Sequence, residues 1–147
     1  MEIRPARPGD IPAVAALEAE TFPDGASAAF LERMRSEGGA VLAAAEGETL
    51  TGYAWYQLVL DEAYVGNVAV AEAFRRCGVG EALVRAMLDN AKNRGAAFLT
   101  MEVRQSNLAA RRLYERCGFR TVAVRKDYYE RPREDAVLMT AFFGREE

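Results

Sequence analysis

The chain has 147 residues, of which 50% are hydrophobic and 28% charged, a size and balance that fit one globular domain with a sizeable core. Its net charge of −3 argues against nucleic acid as the main partner, because such binders carry a basic face. It contains no histidine, which excludes Ser-His and Cys-His nucleophile pairs and His-ligated zinc, so any acid or base must come from Glu, Asp, Tyr, Lys or Cys.

No apolar run approaches the ~18 residues of a membrane-spanning helix. The N-terminal segment MEIRPARPGD lacks the apolar stretch of a signal peptide. The chain is therefore expected in the cytoplasm, away from membranes. Its two cysteines, Cys77 and Cys117, have no CxxC spacing and are expected to be reduced and structural.

In chain order, Asp10 reads as the cap of a first helix, with Pro12 in its first turn and Ile11, Val14 and Leu17 at helical spacing. Ser27 caps a second helix carrying Phe30, Leu31 and Met34, which Gly38-Gly39 stops. Residues 40–45 and 50–60 read as strands joined by a turn through Glu46-Gly47-Glu48, and 64–70 as a third strand. After the loop Arg75-Arg76-Cys77-Gly78-Val79-Gly80 comes an amphipathic helix with Leu83, Met87, Leu88 and Ala91 on its apolar face and Gly95 beyond its end. A strand over 98–103, a helix over 107–117, and strands over 119–128 and 136–143 complete the order βααβββαβαββ. No repeat, low-complexity tract or interdomain linker interrupts it, so one α/β domain over 1–147 is predicted.

The loop before the third helix carries chemistry. A strand, a glycine-containing loop and a helix start together make an anion site, because the first N–H groups of a helix lack intrahelical partners and sit at the positive end of its dipole. Gly78 and Gly80 let a phosphate approach the backbone, and Arg75 and Arg76 add positive charge. The spacing matches neither a P-loop nor GxGxxG. The alternative is a surface turn with two solvated arginines.

Glu102 lies in the otherwise apolar strand over 98–103. Alternation puts Thr100 and Glu102 on one face and Leu99, Met101 and Val103 on the other. Partial desolvation in a groove would raise its pKa toward that of a useful general base; the alternative is a solvent-facing glutamate. Asn107 opens the next helix and suits an N-cap. Tyr114 falls seven residues later, about two turns on and on the same helix face. It reads as a core residue or as a phenol able to protonate a leaving thiolate.

The R-x-x-G-x-G loop resembles the acetyl-CoA signature of the GNAT acetyltransferases. The segment Glu102-Val103-Arg104-Gln105-Ser106-Asn107-Leu108-Ala109-Ala110, continued by Leu113-Tyr114-Glu115-Arg116-Cys117-Gly118-Phe119, is similar to the E-V-R-x-S-N-x-x-A…L-Y-x-x-x-G-F stretch of RimI-type ribosomal-protein alanine N-acetyltransferases. The tail Arg125-Lys126-Asp127-Tyr128-Tyr129, then Glu134-Asp135-Ala136-Val137-Leu138-Met139, resembles the same subfamily's ending, and Asp61-Glu62-Ala63 and Asn67-Val68-Ala69-Val70 also fit.

The resemblance implies a single GNAT-like domain, an α/β (α+β) fold with a mixed central sheet of about six to seven strands and about four helices. It implies acetyl-CoA as cosubstrate, with no metal. Val68, Ala69 and Val70 would pair with the pantetheine arm, and Arg75, Arg76, Cys77, Gly78, Val79, Gly80 and Glu81 would form the pyrophosphate loop. Asn107 would hydrogen-bond near the reacting end. Glu102 would be the general base and Tyr114 the general acid, in direct transfer within a ternary complex. The implied partner is the N-terminal peptide of a protein, the N-terminal alanine of a small-subunit ribosomal protein, and the chain would act as a monomer or weak dimer.

The subfamily's F-x-x-P-W-S between the first two helices is here Phe22-Pro23-Asp24-Gly25-Ala26-Ser27, with Gly25 and Ala26 in place of proline and tryptophan. That change bears on the peptide groove and leaves other amines open: lysine side chains, polyamines or aminoglycosides. A non-catalytic CoA-binding domain would lack the base or the acid, and both residues are present.

Overall fold

The computed structural model describes residues 1–144; the domain expected over 1–147 thus includes three residues outside the described ones. The elements are β1 (Glu2–Pro5), α1 (Ile11–Thr21), α2 (Ala28–Arg33), β2 (Gly39–Glu46), β3 (Thr49–Val59), β4 (Glu62–Val70), α3 (Val79–Asn93), β5 (Phe98–Arg104), α4 (Leu108–Arg116), β6 (Arg120–Glu130) and β7 (Arg133–Phe142). Their order is the predicted one. The strands form one sheet in the order β1-β2-β3-β4-β5-β7-β6, antiparallel throughout except for the parallel pair β4 and β5. A parallel pair needs a crossover, and α3 supplies it.

Periodicity explains the layers. Leu83, Val84, Met87 and Ala91 of α3 are buried against Leu42, Ala54, Tyr56 and Leu99 of the sheet. The expected Leu88 lies only at the edge of this cluster. On the other face, Ile11, Val14, Leu17 and Leu31 pack on Val41, Ala43 and Tyr53. Strand β2 is therefore buried on both faces from Gly39 to Ala45.

Two local expectations need adjustment. Asp10 stands before α1, but its carboxylate does not cap that helix. It turns back to accept from the Arg7 N–H at 2.7 Å and to pair with the Arg4 guanidinium, whose hydrogen bonds hold it below the usual carboxylate range. The second helix loses its α-helical pattern after Arg33 and continues as a wider π-type turn, Met34–Gly38, before Gly39 opens β2.

The feature that makes room for a site is the fork between β4 and β5. Their pairing runs only from Glu62↔Phe98 to Tyr64↔Thr100. Just beyond, Trp55 of β3 faces Asn67 while Tyr56 faces Val65, so Gly66 is an unpaired extra residue, a β-bulge. A Cβ on Gly66 would lie 2.2 Å from atoms of the Trp55 ring, so glycine is what allows the indole to pack there. The bulged strand leaves β5, and a groove opens between them.

Candidate active site

The groove has a volume of about 440 Å³, and Asn67, Val68, Glu102, Asn107, Tyr114 and Tyr129 are among its lining residues. It thus brings together Glu102, Tyr114, Asn107 and Val68 of the sequence-derived set. Val68, Ala69 and Val70 pair with β3 on one side. On the other side the ladder to β5 has already ended, which leaves the outward backbone groups of this edge, apart from the Val70 carbonyl that accepts from Arg75 Nε, available to an extended ligand.

Glu102 projects from β5 on the face opposite the buried Met101 and Val103, as alternation requires. Of the two alternatives for its surroundings, the solvent-facing one holds: the side chain is exposed. It is held instead by a hydrogen bond, Tyr128 Oη donating to Glu102 Oε2 at 3.3 Å. The Glu102 charge and, second, burial push the Tyr128 phenol up.

Tyr114 is half-buried, with its ring 5.7 Å from that of Phe119. It both packs in the core and lines the groove. Burial first, and the nearby Cys117 second, raise its pKa, so its hydroxyl remains a proton donor well above neutrality. Asn107 is exposed and caps α4, its side-chain oxygen accepting from the Ala110 N–H at 3.2 Å.

The phosphate-type loop lies at the far end of β4. Gly78 caps α3 in the left-handed conformation, φ 83°, with open space where a Cβ would stand. The first intrahelical bond of α3 is Ala82 N–H to Gly78 O. Among the described residues, none of the amides from Arg76 to Glu81 donates a backbone hydrogen bond, and α3 has fifteen residues behind it to align its dipole. Arg75 and Arg76 are exposed, and Arg75 Nε is anchored on Val70 O at 3.0 Å. The Glu81 carboxylate pairs with Arg85 at 3.0 Å and Arg116 at 3.3 Å, hydrogen bonds that hold its pKa down.

Two details of this loop depart from expectation. A Cβ on Gly80 would meet Val70 and Leu113 at 3.7 and 3.9 Å, ordinary packing distances, so that glycine faces the protein; Gly78 is the open position. Cys77, expected to be structural, is exposed, whereas Cys117 is buried.

The opposite wall is built around a buried carboxylate. Glu18 of α1 is fully buried and collects four donors: Tyr53 Oη, Trp55 Nε1 at 3.3 Å, Asn67 Nδ2 at 2.8 Å and the Ala26 N–H at 2.8 Å. Burial, and then Glu18 itself, raise the Tyr53 pKa. The carboxylate fixes Asn67 in the groove and ties the α1–α2 loop to the sheet. Next to it, a second hollow of about 360 Å³ is lined by Glu18, Asp24, Ala26, Ser27, Phe30, Trp55 and Asn67. The aromatic surface beside Ala26 comes from Trp55, whose ring meets Phe30 edge-on at 5.3 Å. In the sequence, the signals for this wall are an acid beside the apolar Leu17 and a lone glycine in a strand.

Among the described residues, no helix is long and apolar enough to cross a membrane. Comparison with known proteins gives a consistent picture. A 41%-identical relative in Haemophilus influenzae, matched over 66% of this chain and 68% of its own length, is a [ribosomal protein bS18]-alanine N-acetyltransferase. The Escherichia coli protein of the same name is 44% identical over 61% of this chain and 62% of its own. The crystal structure of the E. coli ribosomal-protein-S18-alanine N-acetyltransferase superimposes with a TM-score of 0.87 at 32% identity, covering 99% of this chain and 96% of that one. The pattern of the acetyltransferase (GNAT) family matches residues 10–119. The protein belongs to the acetyltransferase (GNAT) family.

Proposed function

We propose that this protein transfers the acetyl group of acetyl-CoA to the α-amine of a protein N-terminus, and that its substrate is the N-terminal alanine of a small-subunit ribosomal protein. The observation that carries the reading is the forked groove, into which the open edge of β4, Glu102 and Tyr114 all face. The relatives named for this reaction supply the substrate.

The fit to acetyl-CoA rests on the free amides of Arg76 to Glu81, the open space at Gly78 and the unpaired edge of Val68, Ala69 and Val70. The amides and the Arg75 and Arg76 charges hold the pyrophosphate, the β4 edge holds the pantetheine arm, and Asn107 lies by the reacting end. Acetyl-CoA supplies the activated thioester. Glu102 accepts the proton that the substrate ammonium must lose, directly or through a water, and Tyr128 holds that carboxylate in place. Tyr114 keeps its proton at neutral pH and gives it to the departing CoA thiolate, which leaves as the thiol. The peptide enters past Phe22, Pro23 and Tyr129, all of which line the groove. The cytoplasm is the compartment this reading expects.

The test is thiol release from acetyl-CoA with a short Ala-Arg peptide, beside the same peptide with a blocked N-terminus. Turnover of the free amine alone is expected. Binding of acetyl-CoA without reaction of either peptide would shift the reading to a different amine, selected by the altered Gly25-Ala26 wall.

A further inference from the structure

Beneath the tail tyrosines lies a set of contacts that neither the catalytic roles nor the acetyl-CoA fit requires. Arg104 ends β5, two residues beyond Glu102 and on the same face. Its Nη1 donates to Pro132 O at 2.9 Å and to Glu134 Oε1 at 3.2 Å, and its Nη2 donates to Arg131 O at 3.2 Å. Its guanidinium carbon lies 4.2 Å from the centre of the Tyr129 ring. One side chain thus grips the β6–β7 turn from both sides and stacks on the tyrosine that lines the groove.

The hairpin needs such a grip. Arg125 pairs with Ala136 and Tyr129 with Glu134, so residues 126–128 of β6 face only Asp135 of β7. Asp127 takes a positive φ of 54°, and its N–H donates to Asp135 Oδ1 at 2.9 Å. This irregularity re-aims two adjacent residues, so that the Tyr128 hydroxyl meets Glu102 while the Tyr129 ring faces the groove. A bulged two-strand ribbon at a sheet edge holds its own register poorly. Glu134 completes the tie, because its second oxygen accepts from the Ser106 N–H at 2.6 Å, in the segment that leads to Asn107.

We propose that Arg104 is a positioning residue for the amine-bearing substrate, acting through Tyr129 by clamping the β6–β7 hairpin over the groove. The proposal rests on the reading of the groove as a peptide site. A planar fork with several donors suits two carbonyls, a carboxylate and a ring face at once, which a lysine cannot match. A bare ion pair this exposed would contribute little, and its loss would move the melting temperature slightly and no kinetic constant.

The test compares wild type, Arg104→Gln, Arg104→Lys, Tyr129→Leu and the Arg104→Gln/Tyr129→Leu double variant. Peptide KM is expected to rise about tenfold in Arg104→Gln, with kcat and the acetyl-CoA Kd nearly unchanged; Arg104→Lys restores only part. The double variant is expected to be no worse than the poorer single one, since both residues act as a unit. Hydrogen exchange supplies a readout free of any substrate. Amides of residues 128–131 and 133–135 are expected to exchange about tenfold faster in Arg104→Gln, while those of 79–93 do not change. Unchanged exchange in the hairpin, an unchanged peptide KM or additive effects in the double variant would overturn the clamp. If wild type acetylates no peptide, the peptide reading fails, and the hairpin exchange alone decides whether Arg104 holds Tyr129.

Discussion

The two ends of the groove are built in opposite ways. The end assigned to acetyl-CoA is made of backbone: an unpaired strand edge and six consecutive amides from Arg76 to Glu81 at the start of α3. The end assigned to the amine is made of side chains drawn from distant segments: Glu18, Phe22, Asn67, Glu102, Arg104 and Tyr129. Backbone sites tolerate side-chain replacement as long as the conformation survives. Side-chain sites depend on every supporting contact, and so they are where specificity can change while the cosubstrate stays the same.

Substitutions at each end sharpen or break this contrast. Glu102→Gln removes the proton acceptor and keeps the shape, so turnover is expected to fall by about two to four orders of magnitude, with acetyl-CoA affinity unchanged by calorimetry. Tyr114→Phe is expected to lower turnover about a hundredfold, again without loss of acetyl-CoA binding; a collapse of that binding would make Tyr114 a packing residue only. Glu18→Ala strands four donors in a buried place, and chemical denaturation is expected to show a loss of about 3 kcal/mol.

At the backbone end, Gly78→Ala forces a side chain into the left-handed region. It is expected to cost about 1 kcal/mol of stability and to weaken acetyl-CoA more than peptide. The smallest effect concerns Asp10, whose native pKa is lowered by Arg4. A lowered carboxylate stabilises above its unfolded pKa and loses that contribution as pH falls through the native one. Wild type is therefore expected to melt above Asp10→Asn at neutral pH, with the gap closing in acid.

This division also explains what could be read from the sequence. Local signals were sufficient for the order of elements, because the helical spacing of Leu83, Met87 and Ala91 and the glycines at 78, 95 and 118 each act within a turn or two. The loop at 75–81 was legible for the same reason. Glu18 was not, because an acid next to Leu17 is an ordinary helix-surface residue until Tyr53, Trp55 and Asn67 arrive from other strands. Gly66 looked like any strand glycine, since only Trp55 across the sheet reveals the bulge. The exposure of Glu102 depends on how far β4 and β5 diverge, a tertiary quantity. Likewise, resemblance flagged Tyr128 and Tyr129 but could not say that Arg104 and Asp135 aim them.

The most direct test of the account is mass-spectrometric mapping of the product formed from acetyl-CoA and a peptide that begins Ala-Arg and also carries an internal lysine. The account predicts one acetyl group, on the α-nitrogen of the alanine, formed at a rate that Glu102→Gln abolishes. Acetylation of the lysine side chain instead, or α-acetylation that Glu102→Gln leaves unchanged, would contradict it.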